Sequence, residues 1–76
     1  MIKLKLSSAK VGKYLVLRNF NGINVKKRLN AVGLLPGTEI TVKQECKSRG
    51  PIICEIKGAN IALGHGLAKR VELEEL

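Results

Sequence analysis

The chain has 76 residues, 45% of them apolar, enough for one domain around one core and too few for a second domain or a deep catalytic cleft. Lys and Arg number 14 against 6 Glu and no Asp, a formal net charge of +8; because Glu72, Glu74 and Glu75 close the chain, residues 1–71 hold 14 basic and 3 acidic groups, a net of +11. Such a surface draws anionic partners, whether nucleic acid, an anionic membrane face or an acidic protein, and no apolar run approaches the roughly 20 residues that span a bilayer.

In chain order, Ile2, Leu4 and Leu6 alternate with Lys3 and Lys5 at the period of a strand, and Ser7 or Ser8 is placed to cap a short helical turn through Ala9 and Val11. The run KYLVLRNF, Lys13 to Phe20, is rich in branched and aromatic residues and is bounded by Gly12 and Asn21-Gly22, which predicts a strand entering a tight turn. Asn24 then reads as a helix N-cap. Val25, Leu29 and Val32 follow at i, i+4 and i+7 as one apolar stripe, and Gly33 stands where a left-handed C-terminal cap is needed. Lys26, Lys27, Arg28 and Asn30 fall on the opposite face of this short helix, whose stripe must dock on a sheet because so short a helix is marginal alone.

Leu34-Leu35-Pro36-Gly37 fits a type II turn, with Pro presetting φ and Gly supplying the positive φ that follows. It launches a strand predicted over Thr38 to Lys47. Ile40, Val42 and Cys46 share one face of it, Gln44 interrupts that face, and Thr41, Lys43, Glu45 and Lys47 share the other. Ser48-Arg49-Gly50-Pro51 is a turn cluster, and Ile52 to Ile56 returns as a hairpin partner with Ile52, Cys54 and Ile56 on one face. Lys57-Gly58 closes it. Ile61 to Leu63 gives another strand, Gly64 to Ala68 a loop or single helical turn, and Arg70 to Leu73 a last strand alternating Val71 and Leu73. The fold class is therefore mainly β: a small, strongly bent barrel of five or six strands with one short inserted helix, since a sandwich needs more chain.

The segment RLNAVGLLPGTEI, Arg28 to Ile40, resembles the signature of the FeoA family, in which an Arg-Leu pair, a Leu-Gly-Leu-like step and a Pro-Gly turn precede a strand. LSSAKVGKYLVL resembles the family's opening leucine, turn and glycine, GPIICEIKG its Gly-Pro hairpin, and IALGHGLAKRVEL its closing strands. The resemblance runs across nearly the whole chain and implies a single SH3-like barrel domain over residues 1–76. Such a barrel stands alone or ends certain metal-dependent repressors, and this chain has no room for a winged helix. The free-standing form is similar to the small cytoplasmic protein that accompanies FeoB, a membrane transporter of ferrous iron with a G-protein-like domain. The function implied is a non-enzymatic accessory or regulatory role in iron uptake, with the cytoplasmic G-protein-like region of a FeoB-type transporter as partner.

With no Asp, one His and scattered Glu residues, no set of acid, base and nucleophile stands out, and neither catalysis nor a cofactor is expected. Transition-metal binding would fall to Cys46, Cys54 and His65, three ligands that do not close a tetrahedron, so no resident metal site is expected. Cys46 and Cys54 lie symmetrically about Gly50 and read as cross-strand neighbours, two buried thiols kept reduced in the cytoplasm. His65, between Gly64 and Gly66, reads as a solvated surface residue.

Lys26, Lys27 and Arg28 cluster on the helix, and Lys43, Lys47 and Arg49 share a hairpin with Lys57 nearby, a patch suited to an acidic protein or the anionic inner membrane face. Leu34 and Leu35 flank a turn, and one of them is expected at the surface as the apolar centre of a contact rimmed by Lys27 and Arg28; the bland alternative folds both under the barrel. The candidate partner-binding set is therefore Lys26, Lys27, Arg28, Leu34 and Leu35. So small a core also leaves room for homo-oligomerisation. The rival function is a basic nucleic-acid-binding barrel, which Tyr14 and Phe20, the only aromatic residues, serve poorly as stacking platforms. A third reading is a metal-sensing regulatory domain whose site needs ligands from a partner.

Overall fold

Period-two alternation of apolar and polar residues becomes six strands in the computed structural model, which describes residues 3–19 and 23–76. β1 (Lys3–Lys5) runs into a 3-10 turn at Leu6–Ser8, and β2 (Gly12–Asn19) precedes helix α1 (Ile23–Ala31). β3 (Glu39–Gln44), β4 (Ile52–Ile56) and β5 (Ala59–Leu63) follow, then a four-residue helical turn α2 (His65–Ala68) and β6 (Val71–Glu75). All pairings are antiparallel, in the order β1-β6-β2-β3-β4-β5.

The buried faces set the register. Leu73 of β6 stands opposite Leu4 of β1 and Val16 of β2, and Val42 of β3 opposite Cys54 of β4. Val16, Val42, Cys54 and Leu73 are all fully buried, so a one-residue slip would turn each pair out to water. Register shifts between Val16 and Arg18 and between Val42 and Gln44 bend the strands. Bends of this kind let one sheet curl around a single core as a small barrel. Among the described residues no polar or charged side chain is buried.

Helix α1 ends in a complete Schellman motif. The Leu34 N–H donates to Leu29 O at 2.9 Å, the Gly33 N–H donates to Asn30 O at 3.1 Å, and Gly33 takes φ +87°. Leu29 and Leu34, joined by the outer of these bonds, are both fully buried, while Val25 and Val32 pack partly buried against the core. A side chain at Gly33 meets Ile56 Cγ2 at an ordinary 3.4 Å, so the penalty for one comes from the backbone angle. Gly33→Ala is expected to lower stability by about 1–2 kcal/mol, measurable by urea unfolding.

Several boundaries differ from the sequence reading. α1 begins at Ile23, so Asn24 lies within its first turn and is not the cap. The first helical turn covers Leu6–Ser8, earlier than expected, and Val11 beyond it is 61% exposed. β3 spans six residues rather than the predicted ten. At its start the Thr38 N–H closes the Pro36-Gly37 turn onto Leu35 O at 3.0 Å; at its end Glu45 is drawn off to the Val11 N–H, 3.2 Å from its Oε2. β6 continues to Glu75, held between two partner strands. Ile2, Phe20 and the Asn21-Gly22 turn lie outside the described residues.

Candidate functional site

Two places on this barrel gather the candidate residues. The first is α1 with the turn that follows it. Lys26, Lys27 and Arg28 are exposed on the helix, as its 3.6-residue period requires once Leu29 faces inward. No acidic residue lies in the first turn to meet the positive pole of the helix, whereas Arg28 sits in the last turn beside the negative pole. The turn is pinned to β2 by two backbone bonds, Gly37 N–H to Val16 O at 2.7 Å and Val16 N–H to Thr38 O at 2.8 Å. Gly37 at φ +89° is the residue that lets the chain reverse there.

That anchoring sorts the two leucines. Leu34 is fully buried and so is not available to a partner, a correction to its place in the candidate set; the Schellman bond draws it under the barrel with Leu29. Leu35 is 41% exposed. Among the described residues the other large apolar side chains this exposed are Val11 and Leu76, and Leu35 alone of the three directly follows the basic helix.

The hairpin cations are less concentrated than the sequence suggests. Lys43 forms an ion pair with Glu55 at 3.0 Å, across β3 and β4. Lys47, Arg49 and Lys57 are exposed, and Ser48, Arg49 and Lys57 carry positive φ, so these cations sit at or beside tight turns rather than along a strand face.

The second place is the loop after β3. Cys46 and Cys54 are not cross-strand neighbours: Cys54 stands opposite Val42 and Ile61, and Cys46 lies in the loop beyond the end of β3. The symmetry about Gly50 misleads because pairing follows the buried faces of β3 and β4, not the midpoint of the turn. Cys54 is fully buried, and burial pushes its thiol up from the ordinary value of 9.0 to about 11. Cys46 is half-buried; its Sγ–H reaches Gly50 O at 2.9 Å, and its Sγ lies 3.4 Å from His65 Nδ1. His65 is thus half-buried against a thiol rather than solvated between its glycines. Spacing along the chain carries no signal for this pair, because its members are brought together only by the curl of the sheet and by α2. Among the described residues no group of three or more His, Cys, Asp or Glu side chains is placed to hold a metal ion.

Six antiparallel strands curled around one core, with a basic helix between the second and third, define a small SH3-like barrel. The FeoA domain family matches residues 4–75. The chain belongs to the FeoA family, small proteins of ferrous iron uptake. It is 32% identical over 71 residues to "Putative Fe(2+) transport protein A" of Methanocaldococcus jannaschii, covering 92% of this chain and 84% of that one. The crystal structure of an "Iron Uptake Regulatory Protein (FeoA)" superposes with a TM-score of 0.91 at 37% identity, covering 99% of this chain and 100% of the other. The repressor ScaR, solved with bound Cd2+, contains the same fold: TM-score 0.87, 24% identity, 96% of this chain against 35% of the repressor.

Proposed function

We propose that this chain is a non-enzymatic accessory or regulatory protein of ferrous iron uptake that works in the cytoplasm and binds the G-protein-like region of a FeoB-type transporter. Membership of the FeoA family supports the iron-uptake part of this reading. The docking part rests on one observation: an exposed apolar side chain, Leu35, on a backbone turn pinned to β2, directly after a helix that presents Lys26, Lys27 and Arg28.

A protein contact needs an apolar centre that loses its water and a polar rim that steers the partner. Leu35 supplies the first and the helix cations the second, which fits an acidic surface. The rigidity of the turn matters because little conformational freedom is then lost on binding. No described helix is long and apolar enough to cross a membrane, so the chain meets the transporter from outside the bilayer in this reading. The anionic inner leaflet beside a transporter would favour the same orientation of the cations.

The test is the affinity of the purified transporter region for the wild-type chain and for Leu35→Glu, with folding of the variant checked by circular dichroism. Leu35→Glu is expected to bind at least about tenfold more weakly, as for the loss of a central contact residue. Equal affinity of a folded Leu35→Glu overturns the docking face. Retention of RNA or DNA at physiological salt without binding of the transporter region would replace the reading by a nucleic-acid one.

A further inference from the structure

Cys46 and His65 are 19 residues apart in the chain and meet with Sγ and Nδ1 separated by 3.4 Å. Each is positioned by a different local device. Cys46 opens a tight loop in which the Gly50 N–H donates to Lys47 O at 2.7 Å while Ser48 and Arg49 take φ of 51° and 61°. A Cβ at Gly50 would lie 2.9 Å from Lys47 O, so only glycine closes the loop this tightly, and the Gly50 carbonyl is thereby presented to the Cys46 thiol. His65 is the first residue of α2, and its carbonyl accepts the Lys69 N–H at 3.0 Å. Both side chains remain partly open to water.

We propose that Cys46 Sγ and His65 Nδ1 form a two-ligand site for a thiophilic divalent cation of the zinc type. Thiolate and imidazole are the ligand pair that such ions favour over magnesium or calcium. The geometry fits as well as the chemistry. Zinc–sulfur and zinc–nitrogen bonds of about 2.3 and 2.05 Å at a tetrahedral angle put the two ligand atoms about 3.6 Å apart. The 3.4 Å separation is already close to that spacing.

On uptake the Cys46 thiol gives its proton to solvent, the sulfur lone pair forms the bond to the metal, and the hydrogen bond to Gly50 O is released. His65 binds as neutral imidazole through Nδ1 with its remaining proton on Nε2. Neighbouring Glu45 does not complete the set: its carboxylate holds the Val11 N–H at 3.2 Å and Lys10 Nζ at 3.6 Å. Cys54 is enclosed in the core opposite Val42 and Ile61. The other two positions on the ion are therefore filled by water, and the site is open and exchangeable.

The experiment titrates Co2+ into the full chain under reducing, oxygen-free conditions and follows the thiolate-to-cobalt charge-transfer absorption, with Zn2+ added at the end. The expected result is a band that saturates at one ion per chain and is displaced by Zn2+. Cys46→Ser removes the band, His65→Gln weakens cobalt affinity by at least about tenfold, and Cys54→Ala leaves both unchanged. Absence of the band in the wild-type chain, its survival in Cys46→Ser, or saturation at one ion per two chains overturns the proposal. Far-ultraviolet circular dichroism of each variant shows whether a lost band reflects a lost ligand or a lost fold.

Discussion

Leu34→Ala is expected to lower the unfolding free energy by about 3 kcal/mol, within the usual 2–5 for a buried leucine, whereas Leu35→Ala changes it by less than about 0.5. The contrast follows from burial: Leu34 is fully enclosed and Leu35 is 41% exposed, although the two are adjacent in sequence. At about 0.05–0.15 kcal/mol per residue a chain of this size has a total stability on the order of 4–11 kcal/mol, so the first substitution removes a large share of it. Urea unfolding of the three proteins measures the difference directly. A Leu34→Ala loss below about 1 kcal/mol would contradict the burial described for the end of α1. The contrast also disciplines binding experiments, because a Leu34 variant weakens a complex by unfolding one partner and reports nothing about the docking face.

The second large effect is an alkaline one. Cys54 holds its proton in the folded barrel up to about pH 11, while in the unfolded chain it ionises from its ordinary 9.0. Between those values the unfolded state binds fewer protons than the folded one, so stability is lost as pH rises, by up to about 3 kcal/mol. Below the lower value the contribution is fully present. The measurement compares wild type with Cys54→Ala, so that contributions common to both proteins cancel. Their difference in unfolding free energy is expected to shrink by about 2–3 kcal/mol between roughly pH 8 and pH 11. Parallel curves would mean that the thiol is not desolvated. The same burial keeps Cys54 unreactive towards alkylating reagents while the chain is folded, in contrast to the half-buried Cys46.

How much of this was legible depended on the range of the interactions. The Gly33 cap, the Pro36-Gly37 turn and the inward positions of β4 could be read from sequence because each is decided within a turn or two of chain. The exposure of Lys26, Lys27 and Arg28 followed from the helical period in the same way. Phasing alone could not choose between Leu34 and Leu35; the bond from the Leu34 N–H to Leu29 O makes that choice. The early end of β3 was hidden because what draws Glu45 away, the Val11 N–H and Lys10, lies more than thirty residues upstream. Cys46 and His65 were recognised as metal-ligand types, but their meeting depends on how the β3–β4 loop and α2 come together. Even spacing about Gly50 pointed instead to Cys54, a partner that the buried faces of β3 and β4 rule out.

The place of β6 between β1 and β2 makes closure of the barrel wait on a long-range pairing. Two strands that are close in sequence, β1 and β2, are held side by side by β6, which lies more than fifty residues further along. Until β6 pairs, β1 has no strand neighbour and one side of β2 stands open, so the apolar face they share stays exposed. Closure of such distant pairings belongs to the slower range of small-protein folding, milliseconds to seconds. The docking of the five-residue β6 therefore sets how long the barrel stays open during folding.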